Sequence, residues 1–149
     1  MVKKHGLYQI SLKLILKNRK GQILALGGLD NGSYAGLYDF PGGRINDKEF
    51  RKPLTEILKR EVTEEIGKIK YDLNEKPVAV GRHLLRASIS GSKKDAYVLY
   101  LFFEGMYKGG KITISNEHKS CEWLNLKSNN LSKYFSSGNL EGIRMYLLK

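Results

Sequence analysis

The first half of the chain shows two kinds of hydrophobic pattern, and the first predicts strands. Apolar and polar residues alternate near the start of the chain, the period of a strand with one buried face, with Ile10, Leu12, Leu14 and Leu16 set against Gln9, Ser11, Lys13 and Lys17. Residues 18–21 form a turn signal, so residues 22–26 are predicted to complete a hairpin. A flexible loop over residues 27–36 then leads to a short apolar run, residues 37–40.

The second pattern has the period of a helix and begins at Pro53. Proline suits the first turn of a helix because its missing N–H would have no partner there. Apolar residues then recur at steps of four, which predicts the buried stripe of one continuous helix, formed by Leu54, Leu58, Val62 and Ile66 with Ile57 beside them.

The second half of the chain is predicted to hold further strands and a terminal helix. Residues 78–89 and 96–103 are two long strand candidates, joined by a charged tip over residues 90–95. Shorter elements follow: a strand over residues 111–115, a turn over 131–135 and a helix over 140–148. That helix is predicted to be capped by Asn139 and to bury Leu140, Ile143 and Leu147.

Length and composition indicate a single soluble domain over residues 1–149. The chain has 149 residues and 41% hydrophobic content, enough for one core. The N-terminus lacks the apolar run of a signal peptide, and no stretch approaches the length of a membrane span. We therefore expect a cytoplasmic protein with no membrane partner. The single cysteine, Cys121, cannot form an intrachain disulfide and is predicted to be a structural thiol beside Trp123.

The net charge of +11 has three interpretations. Lysines and arginines are spread through the chain, without zinc-finger spacing or a stacking motif for single strands, which favours a generally basic solvated surface. Attraction of polyphosphate substrates and binding of RNA or DNA are the alternatives.

Three carboxylates lie on one face of the predicted helix. At about 100° per residue, Glu61, Glu64 and Glu65 fall within an arc of roughly 100°, close enough to share one ion. Mg²⁺ prefers such oxygen ligands, with waters and substrate phosphates completing its shell. The alternative is a solvated acidic turn, in which like charges at i and i+4 cost only about 0.2 to 0.5 kcal/mol.

The surrounding residues resemble the Nudix box. Its pattern is Gly, five residues, Glu, seven residues, then Arg-Glu-aliphatic-x-Glu-Glu-x-Gly-aliphatic, and the chain matches it by type at Gly43, Glu49, Arg60, Glu61, Val62, Glu64, Glu65 and Gly67. Two departures are that ten residues separate Glu49 from Arg60 and that Lys68 replaces an aliphatic residue. We assign the extra residues to 50–52, before the helix, which leaves the carboxylates in register and makes the position of Glu49 depend on a longer loop. Ile69 can take the missing aliphatic role.

The resemblance implies a fold and a metal site. The implied fold is an α/β/α sandwich with a mixed β-sheet between the box helix and a C-terminal helix. The implied ligands of Mg²⁺, or of Mn²⁺, are the side chains of Glu61, Glu64 and Glu65 and the carbonyl of Gly42. Arg60 and Glu49 are expected to lie outside the set of metal ligands, and Arg60 is expected to orient the ligand carboxylates through salt bridges. The alternative is a surface arginine paired with an acidic neighbour.

Other candidates for the site lie on either side of the box. Arg44 follows the glycines and is predicted to bind a substrate phosphate, unless it is an exposed strand arginine. The family takes its general base from a box glutamate, here Glu61 or Glu64, or from a late loop that precedes a core tryptophan. Glu117 is the candidate in that late loop, with a solvated turn residue as the alternative. We assign no role to His83 or His118.

Substrate identity is the least determined prediction. Residues 37–43 resemble the Leu-Trp-Glu-Phe-Pro-Gly-Gly run of Nudix enzymes that clear oxidised nucleoside triphosphates. Tyr34 and Tyr38 are candidates to stack on a base, although aromatic residues beside a sheet also serve as core. We predict a Mg²⁺-dependent pyrophosphohydrolase that cleaves a nucleoside diphosphate linked to another group, a nucleoside triphosphate or related nucleotide. A Nudix-fold module that binds a nucleotide or RNA without cleaving it is the alternative, and the family also suggests a possible homodimer.

Overall fold

A mixed β-sheet forms the centre of the structure, a computed structural model that describes residues 2–148. Residues 1 and 149 of the predicted domain lie outside this range. In chain order the elements are β1 (Tyr8–Lys17), β2 (Ile23–Gly27), β3 (Tyr38–Asp39), β4 (Gly42–Arg44), a 3₁₀ turn (Asp47–Glu49), α1 (Leu54–Ile66), β5 (Lys70–Leu73), β6 (Ala79–Leu85), α2 (Ala87–Ser90), β7 (Ala96–Gly109), β8 (Ser120–Leu124), α3 (Leu131–Tyr134) and α4 (Ser137–Leu147).

The sheet is built around the parallel pair β1 and β7. These strands are in register from Tyr8 opposite Tyr97 to Lys17 opposite Met106. β5 and β6 pair with β7 in the antiparallel sense, and β2 and β4 pair with β1 in the same way. β3 and β8 extend β2. The sheet is therefore mixed, as predicted.

Helices cover both faces of this sheet, which confirms the α/β/α sandwich. On one face, the apolar side of α1 packs on β1, β2 and β7, with Ile57, Leu58, Val62 and Ile66 buried against Leu12, Leu14, Leu16, Leu24, Leu26 and Phe103. On the other face, α4 contributes Ile143 and Tyr146 to a second core that includes Phe40 and Phe102. Burial of these side chains is the main stabilisation of the fold.

Coverage of both faces changes the prediction for β1. The alternating pattern predicted one buried face, but Ser11, Lys13 and Ile15 on the other face are buried as well. A central strand between two helical layers has no solvent face, so its polar positions must find partners inside the protein. Lys13 is the important case, because its charge lies inside the fold.

The predicted box helix is confirmed, with one correction. α1 runs from Leu54 to Ile66 after Pro53, and Gly67 ends it by donating its N–H to the Thr63 carbonyl. Residues 50–52 form the turn before it. Leu54, the first residue of the helix, is exposed rather than part of the buried stripe. Ile69 packs beside the α1 core, as expected.

Several later boundaries were predicted wrongly. Residues 87–90 form the short helix α2 rather than the end of a strand. Residues 111–115 do not form a strand; they run along the end of α1, where Thr113 N–H donates to the Ile66 carbonyl. α4 begins at Ser137, so Asn139 is a buried residue inside the helix and not its cap. The fully buried residues of α4 include Gly142, Ile143 and Tyr146, and the predicted Leu140 and Leu147 pack, partly buried, against the same core.

Two smaller findings complete the comparison with the sequence. Cys121 lies exposed on β8 beside Trp123, so it is not a buried structural thiol. Among residues 2–148, no helix combines the length and the apolar character that crossing a membrane requires.

Candidate active site

The glycine turn brings β4 against the box helix. Gly42 donates its N–H to Glu65 Oε1 over 2.6 Å, and its φ of 147° is a conformation that side chains rarely adopt. At Gly43, an added Cβ would lie 2.2 Å from Glu61 Oε2. Gly43 therefore leaves room for the Glu61 carboxylate at the backbone of β4, whereas a side chain at Gly42 would clash with the Leu12 carbonyl of β1.

Arg60 gathers three carboxylates into what we call the arginine cluster: Arg60, Glu49, Glu61 and Glu64. Its Nη2 lies 2.7 Å from Glu49 Oε2 and 3.1 Å from Glu61 Oε1, and its Nη1 lies 3.1 Å from Glu64 Oε1. These contacts hold the pKa of the guanidinium above its usual value, the bond to Glu49 contributing most. Arg60 therefore lies behind the carboxylate face and links it to the loop before the helix.

Glu49 reaches this cluster despite the longer loop. It closes the 3₁₀ turn by accepting a hydrogen bond from Asn46 N–H, and its side chain is 4% exposed. That backbone hydrogen bond, together with Arg60, lowers the pKa of Glu49. The extra residues thus bulge outward and leave the contact between Glu49 and Arg60 intact.

Glu65 points away from the arginine cluster and into the protein. It belongs to a row of four buried residues that we call the buried chain: Lys13, Asp39, His118 and Glu65. Lys13 Nζ lies 2.9 Å from Asp39 Oδ1, His118 Nε2 lies 4.0 Å from Asp39 Oδ2, and His118 Nδ1 lies 3.3 Å from Glu65 Oε2. The chain joins β1, β3, the late loop and α1.

The environment of the buried chain shifts the pKa of its members. Burial raises the pKa of Glu65 to about 7, against the opposing charge of Lys13. Burial alone would raise the pKa of Asp39, but Lys13 and the hydrogen bonds around it hold that pKa below its usual range. Burial likewise opposes the charged form of His118, yet Asp39 and Glu65 raise its pKa.

Asp39 is further fixed by neutral hydrogen bonds. Its Oδ1 accepts from Phe40 N–H at 2.7 Å and from Asn139 Nδ2 at 2.9 Å. Lys13 Nζ also lies 4.9 Å from the centre of the Tyr100 ring, where the ring face attracts a cation. The Lys13–Asp39 pair therefore has the additional partners that a buried ion pair needs.

A cavity of about 260 Å³ opens beside the glycine turn. Its lining includes Gly43 and three members of the buried chain, together with aromatic rings from β6, β7 and the loop after β2: Lys13, Asp39, His118, Tyr34, His83 and Tyr100. The cavity therefore combines charged side chains with aromatic rings, which suits a ligand that has both charged and planar parts.

The structure places two of the three predicted substrate-binding residues, and the base candidate Glu117, at this cavity. Arg44 and Glu117 line it, and Arg44 Nη1 donates to Gln9 Oε1 over 2.8 Å. Tyr34 also lines it, with its hydroxyl 2.9 Å from that of Tyr100. Tyr38 does not: its hydroxyl donates to Glu122 Oε2 at the sheet edge. The structure therefore separates Tyr38 from Tyr34.

Sequence reasoning missed Lys13, Asp39, His118 and Asn139. The signal for the first two was a charged residue within an apolar run, between Leu12 and Leu14 and between Tyr38 and Phe40. A charge in such a position is buried only with a partner, but the sequence does not say which one.

The carboxylates around the glycine turn fit a hard divalent cation by donor type. Glu61, Glu64 and Glu65 offer only oxygen atoms, and Gly43 leaves room for Glu61 at the backbone. Among residues 2–148, however, no three side chains of His, Cys, Asp or Glu already converge on one point. Glu61 and Glu64 contact Arg60, whereas Glu65 contacts Gly42 and His118.

A protein-family model described as NUDIX domain matches residues 7–144 of the chain. No curated protein matches the chain in sequence. The family match covers β1 through most of α4, and therefore includes the glycine turn, the arginine cluster and the buried chain.

Solved structures share the fold at low sequence identity. The MutT protein from Methanosarcina mazei Go1 is 23% identical with a TM-score of 0.69, covering 98% of this chain and 94% of that one. The E. coli dihydroneopterin triphosphate pyrophosphohydrolase is 13% identical with a TM-score of 0.62, covering 95% and 97%. An ADP-ribose pyrophosphatase from Streptococcus suis 89-1591 is 17% identical with a TM-score of 0.60, covering 94% and 90%.

Proposed function

The chain belongs to the NUDIX domain family, hydrolases that act on phosphoanhydride bonds, and we propose that it is a Mg²⁺-dependent pyrophosphohydrolase. Its proposed substrate is a nucleoside diphosphate linked to another group, either a nucleoside triphosphate or a related nucleotide. The observation that carries this proposal is the packing of the Glu61 carboxylate on Gly43, a residue that also lines the cavity.

The proposed ligands of the ion are Glu61, Glu64, Glu65 and the carbonyl of Gly42. The Gly42 carbonyl is included because the backbone of this residue lies against the box helix, where its N–H donates to Glu65. An Mg²⁺ ion held there would lower the pKa of a water and neutralise charge on phosphoryl oxygens, and Mn²⁺ would supply the same chemistry.

Arg60 and Glu49 act on the reaction through the carboxylates. Arg60 contacts Glu61 and Glu64 at 3.1 Å, so one guanidinium lies against both carboxylates. Glu49, held by Asn46, accepts hydrogen bonds from Nε and Nη2 of the guanidinium, while Glu64 contacts Nη1. We propose that this arrangement keeps Glu61 and Glu64 apart and ready to bind a cation.

The cavity supports a nucleotide as the substrate. Arg44 provides positive charge next to Gly43, which suits a diphosphate, while Tyr34, His83 and Tyr100 provide rings for a base. The E. coli and Streptococcus suis proteins are named for a triphosphate and for ADP-ribose, and both names are consistent with a diphosphate-containing substrate.

We propose Glu117 as the general base. It lines the cavity on the loop that follows residue 115, where its carboxylate can approach a water beside the glycine turn. Glu61 is the alternative base within the box, and its pKa is raised by burial. Glu117→Gln should lower kcat but keep Mn²⁺ affinity, whereas Glu61→Gln should lower both, because Glu61 is also a proposed ligand. A native kcat in Glu117→Gln would leave Glu61 as the base.

The test is product release from nucleoside triphosphates, nucleotide sugars and dinucleoside polyphosphates, with Mg²⁺ and with EDTA. We expect turnover of one class with Mg²⁺, none with EDTA, and loss of turnover in Glu64→Gln. Glu56→Gln is the matched control, because Glu56 is an exposed glutamate in the first turn of the same helix. Binding of a nucleotide without turnover would contradict the proposal and favour a non-hydrolytic binding module.

A further inference from the structure

The segment that carries Glu117 is attached to one residue of the box helix at two points. Ser115 N–H donates to the backbone carbonyl of Glu65 over 2.9 Å. Three residues later, His118 Nδ1 lies 3.3 Å from the side chain of that same Glu65. Glu117 lies between these two attachment points, so its place at the cavity depends on both of them.

His118 is placed to make the second attachment. Its side chain is 7% exposed, and within the described structure no hydrogen bond satisfies its buried Nδ1. A buried ring nitrogen without a partner is costly, and a small adjustment would let Nδ1 donate to Glu65 Oε2. On its other side, Nε2 faces the Asp39 carboxylate at 4.0 Å.

The opposite oxygen of Glu65 is already committed. Oε1 accepts from Gly42 N–H, so the carboxylate is held between β4 and His118. A carboxylate that is contacted at both oxygens has little rotational freedom. When one of the two contacts is lost, the remaining contact alone sets its orientation. Loss of His118 would leave Glu65 free to turn about the Gly42 bond.

We propose that His118 is a positioning residue that orients Glu65 at the glycine turn and holds Glu117 at the cavity. The inference rests on the proposed function, in which Glu65 is a metal ligand and Glu117 the base. His118 acts through these two residues and does not contact the substrate's reacting atoms. Its side chain adds a second support to an arrangement that the Ser115 hydrogen bond alone does not fix.

The test compares three variants of His118. His118→Asn places an amide nitrogen near the position of Nδ1 and keeps a donor for Glu65. His118→Gln places it near Nε2, toward Asp39, and His118→Ala removes both. His5→Ala is the control, because His5 is exposed near the N-terminus. The measurements are hydrogen exchange of the Gly42 amide by NMR without metal, and Mn²⁺ affinity by electron paramagnetic resonance.

We expect Gly42 protection and Mn²⁺ affinity to stay within about twofold of native in His118→Asn and to fall by about tenfold or more in the other two variants. Native behaviour in His118→Ala, or equal losses in His118→Asn and His118→Gln, would overturn the inference. Failure of the native protein to bind Mn²⁺ would refute the proposed metal site, and Gly42 protection would then still decide whether His118 orients Glu65.

Discussion

The arginine cluster and the buried chain take their glutamates from one turn of α1, yet they lie in different environments. In the cluster, the side chains of Arg60 and Glu64 are 36% and 58% exposed. In the buried chain, those of Glu65 and His118 are each 7% exposed. One acidic motif therefore supplies an exposed carboxylate at Glu64, a partly buried one at Glu61 and a buried one at Glu65.

The arginine cluster and the buried chain differ in how strongly water screens their charges. Charges in the cluster are partly screened by water, so Arg60 can hold two glutamates at modest cost. Charges in the buried chain interact strongly and depend on partners from four separate segments. We expect changes in the cluster to affect catalysis with little effect on folding, and changes in the buried chain to affect both.

The largest effect should come from Glu61→Gln. Loss of one carboxylate ligand removes several kcal/mol of charge stabilisation, so kcat/KM should fall by about a thousandfold. The melting temperature should change little, because Glu61 lies on the partly solvated side of the helix. Steady-state kinetics and thermal melts check both statements, with Glu56→Gln as the control. A large loss of stability in Glu61→Gln would remove the distinction between the two regions.

Asp39→Asn should destabilise the protein by about 3 kcal/mol, because it leaves the Lys13 cation buried without a counter-charge. Urea denaturation gives this free energy of unfolding. The double variant Lys13→Met/Asp39→Asn should recover about 1 to 3 kcal/mol, since the pair is removed together. If the double variant instead loses the sum of the free energies lost in Lys13→Met and in Asp39→Asn, the two residues are not energetically coupled.

Glu65 should make stability depend on pH in metal-free solution. Because its pKa is raised from 4.5 to about 7, the folded state binds more protons than the unfolded state between these values. The free energy of unfolding should therefore fall by about 2 to 3 kcal/mol between pH 5 and pH 8. His118, whose pKa is also raised, loses its stabilising contribution in the same direction at the upper end of this range.

Glu65→Gln measures how much of this pH dependence of the free energy of unfolding comes from Glu65. The variant should lose most of the decrease between pH 5 and pH 8 and be more stable than native at pH 8, as measured by urea denaturation with EDTA. An unchanged slope would assign the pH dependence to other groups and contradict the burial of an ionised Glu65.

The smallest effect should come from Tyr38→Phe. The hydroxyl of Tyr38 bonds to Glu122 at an exposed edge, so its loss should cost no more than about 0.5 kcal/mol. KM should stay within about twofold, because Tyr38 lies outside the cavity. Tyr38→Ala should likewise leave KM nearly unchanged, whereas Tyr34→Ala should raise it, because Tyr34 lines the cavity. Equal effects of these two ring deletions would place both rings at the substrate.

The arginine cluster was largely predictable because its information is local. The positions of Glu61, Glu64 and Arg60 follow from helix geometry, and the helix itself follows from the apolar stripe of residues 57–66. Glu49 was harder, because the loop of residues 50–52 has no periodic pattern that fixes its path.

The buried chain was not predictable from local pattern. Lys13 and Asp39 pair across 26 positions, and Asn139 reaches Asp39 from 100 positions away. Such contacts depend on how β1, β3 and α4 pack, which the alternation of apolar residues does not encode. The same packing explains the missed second buried face of β1 and the missed start of α4.

Above all, we propose that one metal ion beside the glycine turn is bound by Glu61 and Glu64 of the arginine cluster and by Glu65 of the buried chain. A crystal of the protein soaked with Mn²⁺ and a non-hydrolysable nucleotide, measured for anomalous scattering, tests it directly. We expect a Mn²⁺ peak that is contacted by these three carboxylates and the Gly42 carbonyl, with the nucleotide's phosphates completing the coordination shell of the ion. A peak bound elsewhere, or a nucleotide ordered in the cavity without any Mn²⁺ at the box helix, would contradict it.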